Sequence, residues 1–116
     1  VTTNTTDNAT TYSAKVGLMY ASDYGFAAAP SAWTANLSSY NGEAIKNVNW
    51  MYMGLVEWTI SRNADGASYV FLVYSTGLVS SYNANYAFGV RPVFYLSSSV
   101  NYASGSGTAA DPILVN

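Results

Sequence analysis

The chain has 116 residues, of which half are hydrophobic and only 9% are charged, against roughly 25% in typical soluble domains. This length fits one domain, and the scarcity of charge leaves neutral Ser, Thr, Asn and Tyr to cover the surface, as in extracellular binding proteins. The net charge is −2 and the four cations, Lys15, Lys46, Arg62 and Arg91, are scattered, which argues against nucleic acid as a partner. The chain has no Cys and no His, so it has no thiolate or imidazole chemistry.

The first half of the chain carries mixed signals. Residues 1–14 are rich in Thr and Asn, and we expect a polar linker to a membrane anchor upstream, followed by one domain over 15–116. Residues 16–21 are strand-like, and Asp, Tyr and Gly at 23–25 predict a turn. A short helix is predicted over 31–37, with Ser31 as its N-cap.

The second half predicts a β meander. Asp-Gly within 63–66 and the small residues at 75–77 are typical of tight hairpin connections. In 88–96, alternation places Phe88, Val90, Phe94 and Leu96 on one face, and Pro92 demands an edge or a bulge. The candidate strands are 50–53, 57–60, 69–74, 77–80, 88–96 and 113–115. The predicted core consists of Trp50, Trp58, Phe71, Phe88 and Phe94.

The acidic residues offer little chemistry. The six carboxylates, Asp7, Asp23, Glu43, Glu57, Asp65 and Asp111, form no close pair in sequence, so we expect no catalytic acid and base and no enzyme. Asp23, Asp65 and Asp111 could contribute to a calcium site or cap turns, and their spacing favours capping. We therefore expect no cofactor and no metal.

Two charges lie inside otherwise apolar segments. Glu57 and Arg91 would each cost several kcal/mol if buried alone. We predict that they form a partly buried ion pair with a structural role; the alternative is that both side chains point to solvent.

The stretch 62–87 interleaves Tyr, Ser and Asn with Val, Leu and Phe. Tyr offers rigid contact area at low entropic cost, and Ser and Asn offer adaptable hydrogen bonds, which is the chemistry of binding loops. Solvent-facing strand and turn positions prefer the same residues, and the two interpretations are equally weighted. The predicted ligand-binding residues are Asn63, Ser68, Tyr69, Tyr74, Ser80, Tyr82, Asn83, Asn85 and Tyr86.

Four segments carry a resemblance: VGLMYASDYG at 16–25, NWMY at 49–52, EWTIS at 57–61 and GVRPVFYL at 89–96. Together with SGSGT at 104–108 and Asp-Pro at 111–112, they resemble the C-terminal domains of prepilin-like surface proteins from gut Firmicutes, in which a pilin helix precedes the domain. Trp58 and the residues 89–92 also resemble C-type-lectin-like domains of the formylglycine-generating-enzyme type, which include variable proteins diversified by retroelements. Relatives carry two Cys near Ala32 and Ala44 that this chain lacks.

The resemblance implies a single α+β domain of C-type-lectin-like type, mostly antiparallel β with one or two short helices. It implies a non-catalytic adhesin-like module at the bacterial cell surface or pilus, with an unidentified protein or glycan ligand and a diversified surface over 63–86. The alternative is a structural pilin or fibre subunit whose Tyr-rich face packs against other subunits.

Overall fold

The computed structural model describes residues 13–108 and 110–116, so the predicted linker lies almost wholly outside the described residues. They form a small single domain, mostly β with two short α-helices, consistent with the predicted α+β class. Two 3-10 turns, Pro30–Ala32 and Leu37–Ser39, separate the helices. In chain order the elements are β1 (Gly17–Leu18), α1 (Ala21–Phe26), α2 (Gly42–Ile45), β2 (Glu57–Arg62), β3 (Tyr69–Val73), β4 (Val79–Asn83), β5 (Gly89–Val90), β6 (Pro92–Val93), β7 (Tyr102–Ser104) and β8 (Leu114–Val115).

The central sheet has the strand order β4-β3-β2-β5. The predicted meander is confirmed for β2, β3 and β4, which pair antiparallel through the two predicted turns. In the first turn Asn63 Oδ1 accepts the Asp65 N–H at 2.8 Å, and in the second Gly77 adopts a φ of 89°. The strand predicted at 77–80 begins two residues later because Gly77 completes this turn.

One strand of the sheet is parallel to its neighbour. β5 pairs with β2 through Glu57↔Gly89 and Trp58↔Val90. Residues 84–88 therefore cross the sheet from β4 to its opposite edge. The Phe88 ring lies 5.2 Å from the Trp58 ring and 5.8 Å from the Tyr82 ring, so this crossing packs over the sheet.

The main core lies on the other side of the sheet, under the helices. Tyr24 of α1 and Ile45 of α2 are buried with Met19, Val73 and Val79. Full burial of an apolar side chain of this size contributes about 1.5 to 3 kcal/mol. The helices thus cover one face of the sheet, and residues 84–88 cover part of the other.

Residues 23–25 are helical, so the turn predicted there is wrong. Asp23 Oδ2 accepts the Tyr20 N–H at 2.7 Å and caps the first turn of α1. Gly25 lies against Leu37, and a Cβ at this position would come within 2.8 Å of Leu37 Cδ2. A side chain at this position would therefore have to displace the Leu37 side chain, and Gly25 has no positive φ.

The helix predicted over 31–37 is wrong, because that segment contains only the end of a 3-10 turn, Pro30–Ala32, and the start of a second, and Ser31 is not an N-cap. The strand predicted at 50–53 is also wrong. There Asn49 and Met51 are buried and Trp50 is 80% exposed. Asn49 is held inside by two hydrogen bonds: its Nδ2 donates to the Tyr24 carbonyl oxygen at 2.8 Å, and its Oδ1 accepts the Met51 N–H at 2.9 Å.

The predicted core is only partly correct. Trp58, Phe71 and Phe88 are half-buried, whereas Trp50 and Phe94 are exposed. The chain forms only the two-residue strands β5 and β6 where a strand over 88–96 was predicted, and β6 pairs with β1 at an edge, as Pro92 requires. After Val93 the chain leaves the body of the domain, so Phe94 has no core to enter.

The predicted Glu57–Arg91 ion pair is confirmed. Arg91 Nη2 lies 2.7 Å from Glu57 Oε2 and 2.8 Å from Oε1, and it also donates to the Met51 carbonyl oxygen at 2.8 Å. The Glu57 side chain is 6% exposed and that of Arg91 is 22% exposed. Because Glu57 begins β2 and Arg91 lies between β5 and β6, the pair connects these strands.

The C-terminal segment, residues 94–116, is exposed along most of its length. β7 and β8 pair only with each other, confirming the last short strand predicted near 113–115. The turn between them is fixed by Asp111, whose Oδ2 accepts the Ser106 N–H at 2.8 Å. This two-stranded ribbon carries the apolar side chains Tyr102, Ile113, Leu114 and Val115 in exposed positions.

Candidate functional site

A cluster of aromatic rings covers the face of the sheet opposite the helices. Val70 pairs with Tyr82 and Leu72 pairs with Trp58, so strand alternation places Trp58 and Tyr82 on one face. Phe88 arrives from the crossing segment and contacts both rings. Its ring also stacks on Tyr86, with centroids 6.0 Å apart and planes 13° apart. We call these four side chains the aromatic cluster.

Four of the predicted binding residues line a single concavity beside this cluster. Tyr69, Tyr82, Asn83 and Tyr86 surround a volume of about 240 Å³. The Tyr82 and Tyr86 rings meet edge to face with centroids 4.7 Å apart, a favoured geometry for aromatic pairs. We call this feature the tyrosine concavity.

The tyrosine concavity is formed by local strand and turn structure. Tyr69 begins β3 opposite Asn83 at the end of β4, and the Ala84 N–H donates to the Ser68 carbonyl oxygen at 2.8 Å. The Tyr86 N–H donates to the Asn83 carbonyl oxygen at 3.3 Å and closes the turn that returns Tyr86 over Tyr82. Hydrogen bonds therefore hold the backbone that carries the lining side chains.

The lining is uncharged. The phenol of Tyr86 beside it raises the pKa of Tyr82, so Tyr82 stays protonated through neutral pH. Phenol hydroxyls and an amide can donate and accept hydrogen bonds, and the rings offer flat apolar area. This combination suits recognition of a neutral or amphipathic surface.

The other predicted site residues lie outside the tyrosine concavity. Ser68 and Asn85 are exposed in the adjoining loops, and Ser80 lies on the same face as Tyr82. Tyr74 follows β3 at its far end and is half-buried. The Asn63 amide is used internally, since its Nδ2 donates to Ser81 Oγ at 2.7 Å and its Oδ1 caps the hairpin turn.

The three Asp residues considered for calcium do not converge. Asp23 caps α1 and Asp111 caps the β7–β8 turn, while Asp65 lies in the β2–β3 turn. Across 13–108 and 110–116, no group of three or more acidic, His or Cys side chains is placed to hold a metal ion. The capping interpretation is confirmed for Asp23 and Asp111.

Sequence reasoning missed a second aromatic surface. Phe26, Trp33 and Trp50 line a groove of about 530 Å³ between α1 and the segment 46–50. The sequence around Trp50 alternates in a way that could place either Asn49 or Trp50 inside, and apolarity alone favours Trp50. No local signal reveals the hydrogen bonds that retain Asn49 in the core.

Comparisons with protein-family models, with curated proteins and with solved structures found no match to this chain. Within the part of the chain that the structure describes, no helix has the length and apolarity needed to span a bilayer.

Proposed function

We propose that this chain is a non-catalytic, surface-displayed ligand-binding module of C-type-lectin-like type. Its ligand is a protein or a glycan that contacts the Tyr, Ser and Asn side chains around the tyrosine concavity. The observation that carries this proposal is the convergence of Tyr69, Tyr82, Asn83 and Tyr86 on one cavity. Solvent-facing strand residues need not converge in this way, so the convergence favours binding over chance surface composition.

The chemistry of the cavity supports binding by flat aromatic anchors. Tyr side chains lose little entropy on binding and are enriched among residues that dominate interface energies. Tyr82 and Tyr86 brace each other and rest on Phe88, so their orientations are set before a ligand arrives. Such preorganisation lowers the entropic cost of association.

The non-catalytic part of the proposal rests on the groups available for proton transfer. The tyrosine concavity is lined by phenols and an amide and holds no carboxylate, imidazole or thiol. Glu57, the carboxylate most deeply buried among the described residues, is already paired with Arg91. Neither arrangement supplies the poised acid and base that hydrolytic chemistry needs.

The proposal places the module outside the cell, on a prepilin-like protein or pilus, with the membrane reached only through a segment upstream. It also includes diversification of residues 63–86 by a retroelement. Recovery of the gene neighbourhood tests this directly, by the presence of a prepilin signal, a reverse transcriptase and a template repeat matching the codons of 63–86. Sibling genes in which 63–86 vary no more than 16–23 contradict the diversification.

The binding face is tested by alanine replacement of Tyr82 and Tyr86 together. Wild-type protein is screened on a glycan array and against a displayed library of host and bacterial surface proteins, and each hit is remeasured with the variant. We expect binding to fall by at least about tenfold, since aromatic anchors contribute 2 kcal/mol or more. Tyr20→Ala with Tyr102→Ala is the matched control, because both side chains are exposed elsewhere. Equal loss in the control, or unchanged binding in the Tyr82 and Tyr86 variant, refutes the assignment.

A structural fibre subunit is the second candidate, and the C-terminal segment is the observation that favours it. Phe94, Tyr95 and Leu96 are exposed, as are the apolar side chains of the β7–β8 ribbon. Contiguous exposed apolar surface is typical of interaction sites, and an isolated two-stranded ribbon is marginally stable alone. Light scattering after size exclusion measures self-association and so separates the candidates. Self-association that is lost in Leu114→Ser favours a fibre subunit that packs through the ribbon. Self-association that is lost in the Tyr82 and Tyr86 variant favours a fibre subunit that packs through the Tyr-rich face.

A further inference from the structure

The groove between α1 and residues 46–50 carries three aromatic side chains that no part of the proposed function uses. We call it the tryptophan groove. It is an open groove of about 530 Å³, within the size range of small-molecule sites, and is lined by Phe26, Trp33 and Trp50 together with Asn47 and Lys46. Trp50 is 80% exposed, Phe26 68% and Trp33 51%.

The walls of the tryptophan groove are held together by buried backbone contacts. Ala28 bridges to Asn49, and the Ala29 N–H donates to the Val48 carbonyl oxygen at 2.7 Å. The buried Asn49 amide adds a hydrogen bond to the Tyr24 carbonyl oxygen. The two segments that carry the aromatic side chains therefore keep a fixed separation, which lowers the cost of binding.

The ring of Trp33 is oriented before any ligand binds. Its Nε1–H donates to the Ala28 carbonyl oxygen at 2.9 Å, and its ring meets Phe26 edge to face with centroids 5.5 Å apart. An exposed indole fixed in this way offers a flat apolar face to a ligand. Its N–H is no longer free to recognise one.

The charge of the tryptophan groove is balanced. Lys46 is its only charged lining residue, and Lys46 Nζ lies 2.6 Å from Glu43 Oε2. Asn47 contributes an exposed amide whose Nδ2 donates to the Glu43 carbonyl oxygen at 3.5 Å, so its Oδ1 acceptor and its second N–H are left for a ligand. The groove thus matches a neutral ligand that has apolar faces and a rim of mixed donors and acceptors.

We propose that the tryptophan groove binds a neutral oligosaccharide, whose pyranose rings stack on Trp50 and Trp33 while their hydroxyls reach the Asn47 amide. A pyranose presents C–H groups on its faces and hydroxyls around its edge, which is the pattern that the groove complements. A polyproline peptide also docks on aromatic grooves, but its backbone has no N–H and offers carbonyl acceptors alone. It gains less from this groove, because the Trp33 N–H is already bonded.

This site is separate from the tyrosine concavity. Trp33 and Trp50 lie on the helical layer that covers one face of the sheet, whereas Tyr82 and Phe88 lie on the opposite face. The third tryptophan, Trp58, belongs to the aromatic cluster on that opposite face. The three tryptophans of the chain therefore report on two different surfaces.

The test is fluorine NMR of the whole chain labelled with 5-fluorotryptophan, which gives one resonance per tryptophan. Trp33→Phe, Trp50→Phe and Trp58→Phe assign the three signals. Cellohexaose, xylohexaose, mannohexaose and chitohexaose are added in turn to about 10 mM, an excess that detects a Kd in the millimolar range. We expect at least one sugar to shift the Trp33 and Trp50 signals and leave the Trp58 signal in place.

Trp50→Ala is then expected to weaken that binding by about tenfold or more, while the Tyr82 and Tyr86 double variant binds as wild type. Because Trp50 is mostly exposed, an unchanged Trp58 signal verifies that the variant is folded. Absence of any shift with all four sugars overturns the proposal, as does a shift confined to Trp58 or binding that survives Trp50→Ala. A shift produced by a proline decapeptide and by none of the sugars also overturns it. A shift confined to Trp58 points to binding beside the tyrosine concavity, whereas the other outcomes leave ligand binding there, which is measured separately, unaffected.

Discussion

Removal of the Arg91 charge is the most informative single perturbation of this fold. In Arg91→Met the aliphatic stem is kept, and the Glu57 carboxylate, whose side chain is 6% exposed, loses its counter-ion. The Met51 carbonyl oxygen loses its donor in the same step. Breaking a buried ion pair from one side costs about 3 to 5 kcal/mol, because the remaining charge is uncompensated.

The reverse perturbation is expected to be milder. Glu57→Gln leaves Arg91 with its bond to the Met51 carbonyl oxygen, and the Arg91 side chain is 22% exposed and reaches water more easily than Glu57. We therefore expect a cost of about 1 to 3 kcal/mol for Glu57→Gln. The double variant is expected to cost less than the sum of the two, with a coupling free energy of about 1.5 to 3 kcal/mol.

Urea unfolding followed by tryptophan fluorescence measures all four members of this cycle. For a domain of this size, 1 kcal/mol corresponds to about 4 to 8 °C in Tm, so Arg91→Met lowers the Tm by at least about 12 °C. Lys46→Met is the control, because its partner Glu43 is exposed and surface pairs contribute less than about 1 kcal/mol. A coupling free energy indistinguishable from zero refutes the structural role of the Glu57–Arg91 pair.

Three further predictions concern the core and the C-terminus. Gly77→Ala is expected to destabilise the fold by about 2 to 4 kcal/mol, because the φ of Gly77 is 89° and the new Cβ would lie 2.3 Å from Ile45 Cγ2. The control Gly17→Ala, which has open space around it, is expected to cost less than about 0.5 kcal/mol. Equal urea midpoints for the two variants contradict this prediction. Tyr24→Phe is expected to stabilise the fold by about 1 kcal/mol, because the buried Tyr24 hydroxyl has no hydrogen-bond partner among the described residues. Burial also raises the pKa of Tyr24, so on raising the pH the unfolded state releases the Tyr24 proton first. The free energy of unfolding therefore falls as pH rises above about 10. A Tyr24→Phe variant whose alkaline unfolding curve is identical to that of wild type contradicts this. Deletion of residues 101–116 is expected to change the Tm by less than about 4 °C, because the described residues of this segment are exposed except for Gly105. A larger fall in Tm shows that the ribbon supports the core.

Local sequence signals determined the antiparallel centre of the sheet. The strands β2 and β3 follow from runs of β-branched and aromatic residues, and their connections follow from Asn63 and Gly77, which act through hydrogen bonds and backbone angles within a few residues. The Glu57–Arg91 pair was predictable for a different reason. A charge inside an apolar strand demands a partner, and few opposite charges are available in this chain.

The sites were predictable in composition and not in geometry. The Tyr-rich stretch indicated a binding surface, but only the β3–β4 register and the turn at 84–86 bring Tyr69, Tyr82 and Tyr86 together. The same composition gave no reason to leave Asn63 out of the predicted binding residues, although its amide makes hydrogen bonds within the β-sheet. Ligand-facing and self-directed hydrogen bonds are chemically identical until the partner atoms are placed.

Tertiary structure alone decided which aromatic residues are buried. Asn49 occupies the core and Trp50 the surface, because the Asn49 amide hydrogen-bonds to the backbone of α1 and to the Met51 N–H. The same holds for Phe94, which follows the point where the chain leaves the sheet. Sequence patterns record the period of a strand or helix, but burial depends on contacts between residues far apart in the chain, and these arise only when the whole chain has packed.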